Sequence, residues 1–515
     1  MSLEPTFETF AANWRAGAPQ FVWRRIIDDL ETPVSAFLKI ARGQPYAFLF
    51  ESVEGGAWRG RYSILTLDPD LVWRCRGDAV EMAHASASGE GVEAFQPEPG
   101  QALESLRNLV ARSQVAIPPG LPPMVGGLFG VFGYDMIRLA EPLGAPNPDP
   151  LNLPDAVITR PRLVAVFDAI AQEIVLATTA WPDGGSAEDA YRVAAERLEA
   201  AGRRLRTPLP VSAPARQQPA PAAFTSSVDR TAYGQLVERA KAYIRAGDIF
   251  QVVPSHRFSR TFAEDPFSLY RSLRRTNPSP FLYFLNFPEF ALVGSSPEIL
   301  VRLRDGKITI RPIAGTRRRG ATPEEDQALE AELLGDAKER AEHLMLLDLG
   351  RNDVGRVAML RDEGSNRPLR AEGDRPPPRV RVTESFTIER YSHVMHIVSN
   401  VEGDAPEGLD PVDVLLAALP AGTLSGAPKV RAMQIIDELE TVKRGVGYAG
   451  AVGYIGADGA VDTCIVLRTG LVKDGTLYVQ AGGGVVFDSD PDAEYEETLI
   501  KAAAVRRAAE EAWRF

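Results

Sequence analysis

Two pairs of glutamates are the residues best suited to hold a hard cation: Glu339 and Glu342 in DAKERAEHLMLLDLGRND, and Glu494 and Glu497 in PDAEYEETLIK. A spacing of three puts both members of a pair on one face of a helix. Two helices, each offering two carboxylates, supply the few protein oxygens Mg²⁺ accepts while it keeps waters and grips substrate oxygens. An iron site would use Glu-x-x-His, and His343 follows Glu342 directly, so that spacing is absent. Just before the second pair stand Gly482, Gly483 and Gly484. Glycines let a ligand approach main-chain amides, so this loop can cradle an anion. Alone, Glu494 and Glu497 read more simply as a solvated first turn favoured by the helix dipole. The first pair raises a metal site above that reading.

These residues need elements to hold them. Asp488 or Ser489 is the expected cap of the helix carrying Glu494 and Glu497, with Pro491 in its first turn. Apolar Leu329, Leu333, Leu334, Ala337, Ala341, Leu344 and Leu347 recur at helical spacing, which predicts one amphipathic helix under Glu339 and Glu342. A helix over Arg230–Ala246 should end at Gly247. Strands are expected over 47–50, 71–73, 249–258, 281–287, 291–294, 300–303, 308–310, 449–455, 461–469 and 476–480. Asp458-Gly459 and Asp474-Gly475 mark tight hairpin turns. Residues 163–167 and 174–178 read as a hairpin, and 186–206 as a surface helix. The first 45 residues read as helix and loop around Phe21–Trp23, and glycine-rich VGGLFGVFGY (125–134) as a tightly packed strand pair. Helices alternate with pairs of strands, which predicts an α+β fold: large antiparallel sheets with helices packed outside.

A chain of 515 residues is long for one core. TPLPVSAPARQQPAPAA (207–223) is a Pro- and Ala-rich linker. It divides an N-terminal lobe (1–206) from a C-terminal domain (224–515). The polar segment Glu363–Pro378 reads as a mobile loop. Net charge is −12, which argues against nucleic acid or an anionic membrane as partner. The two cysteines, Cys75 and Cys464, imply neither a disulfide framework nor a zinc site. Without a signal pattern or a spanning apolar run, a reducing cytoplasm is the expected location.

Several motifs in order carry a resemblance: RPIAGTRRRG (311–320), HLMLLDLGRNDVGRV (343–357), ERYSHVMHIVSNVEG (389–403), PAGTLSGAPKVRAM (420–433), YAGAVGY (448–454) and DTCIVLRT (462–469). Together they resemble the chorismate-utilising enzymes, and among them the large components of anthranilate synthases. The resemblance implies Mg²⁺ as cofactor, with Glu342 and Glu497 as ligands and Glu339 and Glu494 assisting. It implies chorismate contacts from Gly315, Thr316, Tyr448, Arg468, Gly482, Gly483, Gly484 and Lys501. Arginine suits a carboxylate and backbone amides complete the cradle. Arg468 follows the apolar run CIVL, so a buried pairing partner is expected for it. Glu298, in GSSPEIL, is implied as the general acid towards the leaving C4 hydroxyl, a role that needs a raised pKa. His396 and Thr423 match an active-site histidine and a nearby hydroxyl, whereas His393 is expected to be structural.

Two positions discriminate within the resemblance. Gln251 stands where the water-using members carry lysine; glutamine cannot act as a base, which suits ammonia as nucleophile. Ala314, in PIAGT, stands where aminodeoxychorismate synthases typically carry a nucleophilic lysine. The implied reaction is therefore chorismate plus ammonia to anthranilate plus pyruvate, the first step of tryptophan biosynthesis. Neither cysteine suits glutamine hydrolysis and no amidotransferase segment follows Phe515, so a glutamine amidotransferase subunit is the expected partner, in a heterotetramer. Glu51-Ser52 and Asn277-Pro278-Ser279-Pro280-Phe281-Leu282 resemble elements that form an inhibitory tryptophan pocket, which implies feedback control through Glu51, Ser52, Asn277, Pro280, Phe281 and Leu282. A non-catalytic tryptophan- or chorismate-binding regulator is the rival from another class; such a protein would need few of the carboxylates, Glu298 and His396.

Overall fold

Apolar residues run through Tyr62–Arg76 and Ala156–Asp168, and these segments form two long strands paired along nearly their whole length. Around this pair, a computed structural model places 21 strands in one sheet, every pairing antiparallel. It describes the chain except residues 1–2, 53–59, 87–90, 183, 210–217, 219–221, 359–379 and 392–393. Most of the expected linker, the Glu363–Pro378 segment and His393 lie outside the described residues.

Two wings leave the central pair. One runs through Ala47–Glu51, Phe281–Asn286, Ala291–Ser296, Thr469–Lys473 and Thr476–Gly482 to Ser255–Thr261. The other runs through Gly127–Phe132, Ala451–Gly456, Val461–Ile465, Ile299–Arg304 and Lys307–Ile310 to Val394–Asp404. In each wing the strand beside the central pair comes from the N-terminal part of the sequence, and every later one from Ser255 onwards. Helix Pro491–Glu511 covers the first wing, packed on helices Arg230–Ala246 and Pro266–Thr276. Helix Ala337–Ala358 covers the end of the second, against Val394–Asp404.

The chain passes from one wing to the other twice, after Ser296 and after Ile465. The crossings lie side by side: Ile465 N–H donates to the Glu298 carbonyl at 3.0 Å, and Ser295 N–H to the Arg468 carbonyl at 3.3 Å. Arg468 turns this corner at φ 48°, in the left-handed region. The expected strand 461–469 therefore ends at Ile465, and a new one starts at Thr469.

Other local expectations shift for identifiable reasons. Phe21–Trp23 lies in a strand, Gln20–Ile27, whose partner Glu173–Ala180 is too distant in sequence for a local reading. VGGLFGVFGY supplies one strand, Gly127–Phe132, wedged between two others. A Cβ on Gly130 would sit 2.1 Å from the Val157 carbonyl oxygen, so its glycines serve close backbone approach. The expected strand 249–258 breaks at Pro254, which has no N–H to give: Gln251–Val252 pairs with Gly426–Ala427, and Ser255–Thr261 joins the sheet. The expected single helix over 329–347 is two, Pro323–Gly335 and Ala337–Ala358, because the Asp336 carboxylate accepts from the Lys338 and Glu339 amides and starts a new one. Asp490, rather than Asp488 or Ser489, caps Pro491–Glu511.

One buried ion pair fastens the segments that meet at the crossings. Arg444 and Glu440 have side chains 1% and 3% exposed. Arg444 donates to the carbonyls of Leu424 (2.7 Å) and Val253 (2.6 Å), and Glu440 accepts from the Ser255 amide (2.7 Å). Removing one partner strands the other charge in the core. Glu440→Ala is therefore expected to lose about 3–5 kcal/mol of stability, read from the shift of the denaturant midpoint. A loss below about 1 kcal/mol, the value of an exposed pair, would refute this role.

Candidate active site

The corner where the chain changes wings places Glu298 on the first crossing and Arg468 on the second. Glu298 is 9% exposed, and burial pushes its pKa up to about 8, against a weaker pull from a Thr423 hydrogen bond and the Arg468 and Lys501 charges. Thr423, in the short helix Gly422–Ser425, donates to Glu298 Oε1 at 3.2 Å, so the acidic proton belongs on Oε2. The expected protein partner of Arg468 is absent: among the described residues no carboxylate lies within ion-pair distance of it. Its charge is supported only at longer range, by Glu298 and Tyr391. A guanidinium stays protonated even when half-buried, so Arg468 is left to bind an anion from outside the protein.

His396 faces Thr316 across paired strands. Its Nδ1 lies 3.1 Å from the Gly315 carbonyl and 3.0 Å from the Thr316 hydroxyl. A carbonyl only accepts, so Nδ1 carries the proton and Nε2 is the free acceptor. Burial lowers its pKa to about 4, which keeps the ring neutral.

The four glutamates come together from the two expected helices, each against a glycine or a cation. A Cβ on Gly315 would lie 3.2 Å from Glu339 Oε2, one on Gly483 2.6 Å from Glu494 Oε2, and one on Gly484 3.9 Å from Glu342 Oε1. The contact at Gly483 is too close for a Cβ, whereas that at Gly484 is ordinary van der Waals distance. Glu339 pairs with Arg317 at 3.3 Å, Glu497 with Lys501 at 2.6 Å, and Glu494 accepts from Ser489 at 2.6 Å. Glu342 has no such partner among the described residues, and Glu494 Oε2 is buried without a donor. Burial raises the pKa of both, with Glu497 adding to each and Glu339 to Glu342. Carboxylates that repel one another and lack donors suit a hard cation. Among the described residues no group of three or more His, Cys, Asp or Glu is drawn close enough to hold a metal by itself.

The glycine loop is clipped in place by reciprocal amide–carbonyl bonds between Val485 and Val252 (2.9 and 3.2 Å). Gln251, 2% exposed, sits beside it, its Nε2 2.7 Å from where a Cβ of Gly484 would lie and its Oε1 without a donor. Lys501 donates to the Gly482 carbonyl at 3.1 Å, and its side chain, 41% exposed, reaches water at the mouth. The buried Tyr448 hydroxyl lies 3.1 Å from where a Gly482 Cβ would be.

A separate cavity of about 110 Å³ is lined by Glu51, Ser52, Pro280, Phe281 and Leu282, together with Tyr454 and Cys464. Asn277 is not in its wall; it braces the loop, donating to Ser295 Oγ at 3.0 Å. Arg274 (2.8 and 3.1 Å) and the Tyr270 hydroxyl hold Glu51.

Sequence reasoning missed Tyr233, whose hydroxyl accepts from Gly483 N–H (3.3 Å) and donates to the Pro254 carbonyl (3.2 Å). Nothing local distinguishes it from an ordinary core aromatic. It also missed the Arg444–Glu440 pair, whose i,i+4 spacing is equally common on exposed helices.

A family model described as chorismate binding enzyme matches residues 65–366 and 375–507. The chain is 56% identical over 511 residues to anthranilate synthase component 1 of Cereibacter sphaeroides, covering 99% of this chain and 98% of that one. It is 50% identical over 488 residues to the component 1 of Pseudomonas aeruginosa, covering 93% of each. Among solved structures, anthranilate synthase component I from Streptococcus pneumoniae matches with TM-score 0.73 and 35% identity, over 94% of this chain and 99% of that one. A menaquinone-specific isochorismate synthase from Escherichia coli shares the fold, with TM-score 0.66 at 19% identity over 98% of each chain.

The raised pKa of Glu298 has a signature in stability. The folded state holds this proton more tightly than the unfolded chain, so the associated stability is full in acid. It is lost as pH rises from about 4.5 through about 8. Glu298→Gln removes the titration, so the variant should gain stability relative to the native protein across that window. Denaturation midpoints measured at intervals of pH test this; parallel profiles would show that Glu298 titrates as an ordinary carboxyl.

Proposed function

The chain belongs to the chorismate binding enzymes, and from that premise we propose that it catalyses the anthranilate synthase reaction, chorismate plus ammonia to anthranilate plus pyruvate. The observation that carries the reading is Glu298: a buried carboxyl, protonated at neutral pH, near a half-buried arginine with no carboxylate partner among the described residues. Arg468 and the amides of the glycine loop bind the substrate carboxylates. Glu298 gives its proton to the C4 hydroxyl as that group leaves and ammonia bonds to C2. Thr423 keeps the proton on the outer oxygen. Gln251 lines the approach with an amide in place of a basic amine, so water is not activated there. Neutral His396 offers Nε2 to a substrate proton during loss of pyruvate.

Glu342 and Glu497, with Glu339 and Glu494 beside them, would hold Mg²⁺, which when bound supplies positive charge to a substrate carboxylate. Ammonia comes from glutamine through a separate amidotransferase subunit in a heterotetramer. The state of Cys75 and Cys464 supports this: both are buried, with thiol pKa values pushed up, so neither offers a nucleophilic thiolate. Cytoplasmic location accords with the absence, among the described residues, of a helix long and apolar enough to cross a membrane. Residues 1–206 act as a regulatory lobe and 224–515 as the catalytic domain, joined by the 207–223 linker, with L-tryptophan bound in the Ser52–Phe281 cavity as feedback inhibitor.

Purified chain with chorismate, ammonium and Mg²⁺ should yield anthranilate and pyruvate. An aminodeoxychorismate product without pyruvate would overturn the reading, and so would tight chorismate binding without turnover even with the amidotransferase subunit present. Glu298→Gln should lower kcat by roughly 10²–10⁴ while chorismate still binds, and the native rate should fall as pH rises through about 8. Equal loss of binding and turnover would remove Glu298 from the acid role. Ser52→Phe should fill the cavity and abolish tryptophan inhibition without loss of activity; unchanged inhibition would place the regulatory site elsewhere.

A further inference from the structure

In each Glu-x-x-Glu pair, one carboxylate is held by a cation of the protein and the other is not. Arg317 holds Glu339 and Lys501 holds Glu497, whereas Glu342 and Glu494 form no ion pair among the described residues. The two cations differ in freedom. Arg317 also bonds Glu332 at 2.9 Å and Asp336 at 2.8 Å, so three carboxylates anchor it. Lys501 Nζ meets, among the described residues, the Glu497 carboxylate at 2.6 Å and the Gly482 carbonyl at 3.1 Å, and its side chain is 41% exposed. It stands one turn beyond Glu497 on helix Pro491–Glu511. Gly482 opens the loop whose next two glycines lie against Glu494 and Glu342. The ammonium is thus placed beside the cluster. Burial raises the pKa of Glu342 and of Glu494, and Lys501 opposes it in both. Burial works against the charge of Lys501 itself, and Glu497, Tyr448 and Glu342 more than restore it.

A lysine ammonium is a compact point charge on a flexible stem, so it can occupy a carboxylate and leave it again. A divalent ion on Glu497 would share that carboxylate with the ammonium, and like charges so close repel. We propose that Lys501 is the resident cation of the carboxylate cluster: it neutralises Glu497 in the metal-free protein and yields that carboxylate when metal binds, leaving its ammonium for a substrate carboxylate at the glycine loop. The inference rests on Glu342 and Glu497 being the metal ligands. Arg317, held by Glu332 and Asp336, keeps Glu339, so the exchange is confined to Glu497. Metal and lysine therefore compete in the empty site, and an arriving anion draws the ammonium off Glu497. Through Lys501, metal and substrate favour each other's binding.

The test titrates Mn²⁺ into the purified full chain without substrate and counts free ion by electron paramagnetic resonance. Lys501→Met keeps the stem and removes the charge; it should bind Mn²⁺ about fivefold more tightly than the native chain, because no ion pair is given up. Lys501→Arg keeps the charge and should bind no tighter than native. Lys338→Met controls for charge at a distance: Lys338 also opposes the raised pKa of Glu342 and of Glu494, more weakly than Lys501, and forms no ion pair among the described residues. Its loss should change Mn²⁺ affinity far less. Thermal midpoints check the same exchange independently. Without metal, Lys501→Met should melt below the native chain, and saturating Mn²⁺ should raise its midpoint by more than it raises the native one. Native Mn²⁺ affinity in Lys501→Met, or equal tightening in Lys338→Met, would overturn the exchange. Failure of the native chain to bind Mn²⁺ even with chorismate present and ammonium withheld would instead overturn the metal reading.

Discussion

The site depends on a sheet that turns its corner twice in the same place. Strands of an antiparallel sheet twist, and a large sheet relieves the twist by bending into packed layers whose strands change layer at corners. Here the corners after Ser296 and after Ile465 lie side by side, tied by main-chain hydrogen bonds. A corner is where backbone leaves the ladder and side chains can be aimed into a cleft. Glu298 sits on one and Arg468 on the other. Their opposite charges lie near enough to influence each other, and too far apart to form an ion pair. That separation leaves the arginine free for an anion and the carboxyl free to keep its proton.

Around this corner the structure tolerates arrangements that cost stability elsewhere. Among the described residues Glu494 Oε2 and the Gln251 side-chain carbonyl are buried without a donor, and Arg468 holds a left-handed backbone. The Arg444–Glu440 pair bears much of the compensating order. It joins the carbonyls of Leu424 and Val253 to the Ser255 amide, so the helix with Thr423, the segment after Gln251 and the strand opposite Gly482 share one anchor. Tyr233 does similar work for the glycine loop. None of these touches a substrate, yet each fixes the direction of a group that does.

The regulatory reading gains its coherence from strand pairing. Ala47–Glu51 pairs with Phe281–Asn286, so Glu51-Ser52 and Pro280–Leu282 meet through one ladder. The next strand along that wing ends at Ser296, two residues before Glu298. The cavity wall at Phe281 and the crossing that carries Glu298 therefore belong to neighbouring strands of one wing.

The sequence alone determined which side chains could do chemistry and which helices carry them. Three-residue spacing fixed the glutamate pairs on helical faces, Gly482–Gly484 announced close approach, and the order of motifs announced the family. Hairpins at Asp458-Gly459 and Asp474-Gly475 were legible because turn chemistry is local. Tertiary structure alone decided the strand at Phe21–Trp23, the break at Pro254, the helix restart at Asp336 and the corner at Arg468. It also decided that Arg468 has no carboxylate partner among the described residues and that Glu298 is buried enough to stay protonated. The physical reason is common to all of these. Periodicity and turn chemistry are properties of neighbours along the chain, whereas strand partners, desolvation and the distance between charges are set by segments hundreds of residues apart.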